Sequence, residues 1–180
     1  MKAIGILETK EMGLGYLVAD AAVKAAPVTL VEAKPICPGW FFILMTGEPS
    51  AVKSAVQAGA QLAGKGLIAK DAIYKLSDAV IEALDKTMID VAVKSLGFIE
   101  TKNLVAGIHL ADLAVKSGSI DLIRLRRVVG SAGKSLLIFT GETAAVNQVI
   151  SSVRQDECFR QFGVSATMIA APNKAILEQL

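Results

Sequence analysis

The sequence is poor in the residue types that most often carry catalysis or disulfide bonding. Its 180 residues include two cysteines, one histidine and one tryptophan, and aromatic residues make up 5%. Two cysteines are too few for a disulfide framework, and the first residues lack the apolar core of a signal peptide, so we expect a reducing cytoplasm. His109 lies in a predicted helix, and no Ser–His–Asp or Cys–His arrangement is indicated, so we do not expect an enzyme.

Strong net charge and long apolar runs are also missing. The formal net charge is +2, which gives no basic field for a nucleic-acid partner. The longest uncharged runs, 35–47 and 161–173, are 13 residues each, short of the roughly 18–20 residues of a spanning helix, so we expect no membrane insertion. The chain is nevertheless 53% hydrophobic, which excludes disorder and leaves apolar surface for subunit contacts. We therefore expect an oligomer.

An internal repeat is the most informative feature that is present. Residues 4–10 (IGILETK) recur as residues 96–102 (LGFIETK) at an offset of 92, with four of seven positions identical. A D-x-x-x-K pair recurs at the same offset, as Asp20–Lys24 and Asp112–Lys116. A TGE turn at residues 46–48 recurs at residues 140–142, an offset of 94. The chain is therefore a duplicated unit with two extra residues in its second copy.

Each copy predicts the element order β-α-β-β-α-β-α. Alternating apolar residues indicate the strands. Small residues at helical spacing indicate the helices, and proline or threonine marks the start of the second helix in each copy. The predicted elements are strands 2–8, 28–34, 40–46 and 66–70 with helices 12–25, 49–62 and 77–84, then strands 94–100, 120–127, 134–140 and 163–170 with helices 104–117, 143–155 and 173–179. This order predicts an α+β fold of two tandem ferredoxin-like (split βαβ) domains, residues 1–90 and 91–180, each an antiparallel sheet with helices on one face.

These motifs resemble those of a known family. The opening AIGILET, the D-x-x-x-K helix, the VGSAGK loop and the TGE turn are similar to the shell proteins of bacterial microcompartments, and two copies in one chain resemble the tandem-domain subclass. The resemblance implies a microcompartment-type fold and a structural role in the shell, within the cytoplasm and beside other shell proteins. It also implies a homotrimer, because three chains of two similar domains fill the six positions of a pseudohexameric ring.

The resemblance also assigns roles to residues of two loops and two helices. The loops between the second and third strands of each copy match the family's pore-lining loops, and the lysines of the D-x-x-x-K pairs match those at the edges where tiles meet. The expected pore residues are Ile36, Cys37, Pro38, Gly39, Trp40, Gly130, Ser131, Ala132 and Gly133, and the expected tile-edge residues are Lys24 and Lys116. From the residues alone, the same Asp–Lys pairs also fit solvated salt bridges within a helix.

The first loop differs most between the copies and contains a cysteine. Its ICPG sequence resembles the pore loop of the tandem shell protein of propanediol-utilisation compartments, whose cysteine holds an iron–sulfur cluster. Cluster irons are usually held by about four thiolates, so one Cys37 is not enough, but three copies on a three-fold axis supply three ligands to a shared [4Fe–4S] cluster. Pro38 provides no N–H, Gly39 permits close backbone approach, and neighbouring N–H groups are expected to face the sulfurs.

Other interpretations stay open at this point. Cys37 is also consistent with an idle thiol, in a shell tile whose pore conducts small metabolites without metal. A ferredoxin-like regulatory trimer that binds a ligand between subunits is a third candidate. If a cluster is bound, the expected role is electron transfer across the shell, with redox enzymes of the lumen as partners. We expect Cys158 to be a small, partly buried residue and His109 a structural or surface residue of its helix.

Overall fold

The structure is a computed structural model that describes residues 3–84, 92–128, 130–131 and 133–180. They fall into two compact units. The first unit holds the chain up to Leu76 together with the loop 129–133, and the second holds Ser77–Val128 and Lys134–Leu180. The predicted junction near residue 90 lies outside the described residues, so the division into residues 1–90 and 91–180 stays a prediction.

The first unit is built on a four-stranded antiparallel sheet of order β2-β3-β1-β4. Two helices pack against it, and a short 3-10 turn links the second helix to the last strand. The elements are β1 (Ala3–Thr9), α1 (Met12–Ala25), β2 (Thr29–Ile36), β3 (Trp40–Gly47), α2 (Pro49–Ala63) and β4 (Leu67–Tyr74). The split βαβ order is the one predicted.

Small residues let α1 approach the sheet closely. A Cβ atom added at Gly15 would lie 2.1 Å from the ring of Phe41, a fully buried residue of β3. Val18, Ala19 and Ala22 complete the buried side of α1. The aromatic ring therefore fills the space that a larger helix residue would need, and this contact sets the spacing between helix and sheet.

The second unit repeats the sheet, with order β6-β7-β5-β8. It also contains the helix α3, which was predicted to finish the first copy. The elements are α3 (Asp78–Ala83), β5 (Ser95–Thr101), α4 (Leu104–Ser117), β6 (Ile120–Arg127), β7 (Ser135–Gly141), α5 (Thr143–Gln155), α6 (Glu157–Phe162), β8 (Gly163–Ile169) and α7 (Lys174–Leu177). Leu84, just after α3, forms a parallel bridge with Leu125 on the edge strand β6, so this segment covers an edge of the second sheet.

In the second unit, polar groups occupy the corresponding contact between helix α4 and the sheet. Ser135 occupies the position that corresponds to Phe41 at the repeat offset of 94, and a Cβ atom at Gly107 would lie 2.2 Å from its Oγ atom. Buried Ser135 and Thr101 share a hydrogen bond of 2.7 Å, and Asn103 caps α4 by accepting the Ala106 N–H at 2.8 Å. The duplicated scaffold therefore keeps its geometry with different core chemistry.

The helices are short throughout the part of the chain that the structure describes. The longest, α2, has 15 residues. No helix within the described ranges combines the length and apolar character needed to cross a membrane.

Candidate functional site

The Cys37 loop is a tight hairpin turn between β2 and β3. Ile36 pairs with Trp40 at the end of the two strands, and the Gly39 N–H donates to the Ile36 carbonyl at 2.9 Å. Gly39 has a φ of 109°, a region that glycine adopts without a steric penalty. Pro38 and Gly39 thus close the turn and leave the Cys37 side chain exposed at its tip. The Gly39 N–H is engaged in closing the turn, and the expectation that other nearby N–H groups face the sulfur stays a prediction.

The equivalent loop of the second copy is longer and rich in glycine. The Val128 N–H donates to the Lys134 carbonyl at 2.9 Å, which closes the base of the loop. Gly130 is exposed with a φ of 79°, and Ser131 is half-buried. Ala132, a predicted pore residue, lies outside the described residues. This loop therefore supplies backbone turns and small side chains where the first loop supplies a thiol.

Two of the predicted pore residues, one from each loop, are in contact. Gly133 belongs to the segment that packs with the first unit, and a Cβ atom added to it would lie 2.1 Å from Cζ3 of Trp40. Gly133 is buried and has a φ of 87°. The indole of Trp40 therefore lies directly over the Gly133 backbone, and the two loops form one local structure.

The two D-x-x-x-K pairs are present, but their surroundings differ. Lys24 and Asp20 form an ion pair of 2.6 Å in which the side chains are 72% and 55% exposed. The Asp112 side chain is only 8% exposed; it pairs with Lys116 and accepts both the N–H and the hydroxyl of Ser77, each at 2.9 Å. The first pair is a solvated helix salt bridge, whereas the second anchors the start of α3 to α4.

The structure also brings together three residues that sequence reasoning did not connect. His109 on α4 lies beside Asp156, which caps α6, and Cys158 in the first turn of α6. Their metal-ligating atoms all lie within 4.8 Å of one another. Cys158 is partly buried, as expected, and His109 is a half-buried residue of its helix. Their proximity was missed because α6 was not predicted and because the residues are far apart in the chain.

The fold and the loops define the class of the protein. It is a duplicated α+β protein whose two antiparallel sheets share one strand order, and whose copies differ at the loop between their second and third strands. Residues 3–76 and 95–172 each match the BMC domain, the bacterial microcompartment domain. The chain therefore belongs to the bacterial microcompartment shell protein family, as a member with two domains in tandem.

Relatives with one and with two domains agree with this assignment. The chain is 29% identical over 179 residues to the bacterial microcompartment shell protein PduT of Citrobacter freundii, which covers 99% of this chain and 97% of that protein. It is 37% identical over 87 residues to the major carboxysome shell protein CsoS1A of Halothiobacillus neapolitanus, which covers 47% of this chain and 89% of that protein. The shorter match corresponds to one copy of the repeat.

A solved structure is similar over almost the whole chain. The crystal structure of a microcompartment protein from Desulfitobacterium hafniense DCB matches with a TM-score of 0.83 and 32% identity, over 99% of both chains. The predicted family, the predicted α+β fold and the localisation to a microcompartment shell within the bacterial cytoplasm are confirmed by this family membership.

Proposed function

We propose that the chain is a structural shell tile that assembles as a homotrimer with pseudohexameric symmetry. The support is the duplication itself: two domains of one strand order in each chain supply six similar positions when three chains surround one axis. In the shell, this tile packs beside other shell proteins. Its role is structural rather than catalytic.

The observation that carries the central part of the proposal is the exposed thiol at the tip of the first hairpin. Cys37 lies at a turn closed by backbone hydrogen bonding, and its exposed side chain is accessible to other subunits. The corresponding loop of the second copy has no cysteine. A trimer therefore holds three such thiols, all from the same kind of loop.

Three Cys37 thiolates around the axis suit a shared [4Fe–4S] cluster, with its fourth iron left to solvent or a small ligand. Thiolate is the ligand type that these clusters use, and the exposure of Cys37 makes that ligand accessible. When bound, the cluster supplies one-electron transfer, which in a shell connects the two sides of the tile and suits lumen redox enzymes as partners. The chain itself contributes the thiols, the rigid turn and the surrounding pore loops.

Anaerobic purification tests this proposal directly. We expect a particle with the mass of three chains, a brown colour, and about four iron and four sulfide ions per trimer. Cys37→Ser is expected to abolish colour and iron while the trimer mass is unchanged. Cys158→Ser is the matched control, since it removes the other thiol of the chain and is expected to leave the iron content intact.

Three outcomes would contradict parts of the proposal. A trimer that stays colourless after anaerobic reconstitution with iron and sulfide argues for a metal-free tile whose pore conducts metabolites. A particle with the mass of one chain removes the three-fold axis and with it the cluster site. A trimer that never forms sheets and is stabilised by a small ligand instead indicates the regulatory alternative.

A further inference from the structure

We propose that His109, Asp156 and Cys158 form a second metal site, specific for Zn²⁺ or a similar divalent transition metal, in the second unit only. The site is independent of the Cys37 loop. It is made by the contact of α4 with α6, and it offers one nitrogen, one oxygen and one sulfur ligand to the same point. This mixture of ligands is the one that zinc favours among the common divalent ions.

The distance between the His109 and Asp156 ligand atoms fits coordination of a shared ion. Nε2 of His109 and Oδ1 of Asp156 are 3.6 Å apart, longer than the roughly 2.7–3.2 Å of a hydrogen bond between nitrogen and oxygen. Two ligands at about 2.0–2.2 Å from a tetrahedral zinc ion lie about 3.3–3.6 Å from each other. With the sulfur of Cys158 also within 4.8 Å, small side-chain rotations are enough to close the site.

Local backbone structure places the two ligands of α6. Asp156 is the N-cap of this helix, and its Oδ1 accepts the Cys158 N–H at 2.8 Å. The cap fixes the carboxylate relative to the cysteine, and a carboxylate has enough lone pairs to accept this hydrogen bond and bind a cation as well. Because the cap already orders the Asp156 carboxylate, less conformational entropy is lost on metal uptake than with a free side chain.

The charges of the site also suit a divalent ion. A carboxylate, a thiolate and a neutral imidazole together carry two negative charges, which one Zn²⁺ neutralises. Glu157 and Arg160 line the adjacent open depression and offset each other's charge. The Arg160 guanidinium donates to the Gln155 carbonyl, which holds it at the C-terminal end of α5.

The first copy provides an internal comparison. At the repeat offset of 92, His109 corresponds to Leu17, and at the offset of 94, Asp156 corresponds to Leu62; both leucines are exposed. Among the described residues of the first unit, no helix corresponds to α6, and a 3-10 turn follows α2 instead. Polar ligands and the helix that positions them therefore occur together, in the second copy alone. Bound metal would clamp α6 to α4.

Cobalt binding to the full-length Cys37→Ser chain tests the site, because this background removes the thiol of the other loop. After EDTA treatment, we expect one Co²⁺ per chain, with tetrahedral ligand-field bands and a thiolate-to-cobalt charge-transfer band that Zn²⁺ displaces. We also expect Zn²⁺ to raise the midpoint temperature of thermal unfolding. Cys158→Ser should abolish the charge-transfer band, and His109→Leu should weaken binding by at least about 10–100-fold.

Two control variants distinguish metal coordination from a loss of folding and from general electrostatic attraction of the cation. His109→Leu introduces the residue that the first copy tolerates at this position, so the chain is expected to stay folded. Glu157→Gln removes a neighbouring carboxylate outside the triad and should leave Co²⁺ affinity unchanged. The absence of saturable uptake, Co²⁺ bands without thiolate charge transfer, or affinity that is equal in wild type and His109→Leu would each overturn the proposal.

Discussion

At the scale of single residues, Gly133 is under two separate constraints. Its φ of 87° is costly for any residue with a Cβ atom, and the ring of Trp40 occupies the place where that atom would lie. We expect Gly133→Ala to lower the free energy of unfolding by about 2–3 kcal/mol, the sum of backbone strain and overpacking. Chemical denaturation at fixed protein concentration measures this loss.

Gly130→Ala is the matched control for the backbone contribution. Gly130 has a similar φ of 79°, but a Cβ atom there would meet nothing within 4 Å. Its substitution should cost only about 1 kcal/mol. In a Trp40→Ala background, the cost of Gly133→Ala should fall toward that value. Equal costs for the two glycine substitutions in the wild-type chain would show that the indole does not constrain this loop.

At the scale of elements, the two D-x-x-x-K helices serve different purposes. Asp112 accepts two hydrogen bonds from Ser77 and so ties α3 to α4, whereas Asp20 contacts only its exposed Lys24 among the interactions described above. We expect Asp112→Ala to lower the free energy of unfolding by about 2–3 kcal/mol, because it removes the acceptor of both the Ser77 N–H and the Ser77 hydroxyl. Denaturation of the full chain checks this value.

Asp20→Ala provides the comparison within the same chain. An exposed pair four residues apart on a helix contributes roughly 0.3–0.5 kcal/mol, so the loss should stay below about 0.5 kcal/mol. If both substitutions destabilise the chain to the same extent, the contact between Ser77 and Asp112 does not anchor α3 in solution.

The element order was predictable because the repeat and the apolar periodicity agree in both copies. The first long helix of each copy has its predicted bounds, 12–25 and 104–117. The helix α6 was missed because six residues are too few to show a helical period, and its start depends on the Asp156 cap. The grouping of α3 with the second unit was also missed, because it depends on tertiary contacts of Asp112 and Leu84.

The candidate sites show the same division between local and tertiary information. The exposed turn at Cys37 follows from neighbouring proline and glycine, which are readable in the sequence. The cluster of His109, Asp156 and Cys158 depends on packing between α4 and α6, which no spacing in the chain reveals. The contact of Trp40 with Gly133 joins loops of two repeat copies and was equally out of reach.

At the scale of the whole molecule, duplication lets one chain carry two different specialisations on one scaffold. The first copy has the Cys37 hairpin, and the second has the glycine-rich loop and the His109 cluster. A tile made of identical single-domain chains would carry six copies of every side chain. Three tandem chains carry three copies of each, which is the number of thiols that a cluster on a three-fold axis can use.

Assembly of the proposed trimers into sheets is the last property that can be tested. The Lys24 side chain is 72% exposed at the C-terminal turn of α1, and its ion pair with Asp20 is solvated, so a neighbouring tile can still reach the ammonium group. We expect Lys24→Ala to reduce sheet formation at high concentration strongly, as seen by negative-stain electron microscopy, while light scattering still gives the trimer mass.

Lys53→Ala removes an exposed lysine of α2 with the same change in charge and should leave the sheets intact. Lys116 is less suited to alanine substitution, because it is the cation that pairs with the buried Asp112. Its loss would lower stability as well as change assembly. Sheets that form equally well from wild type and Lys24→Ala would show that this lysine does not lie at the tile edge.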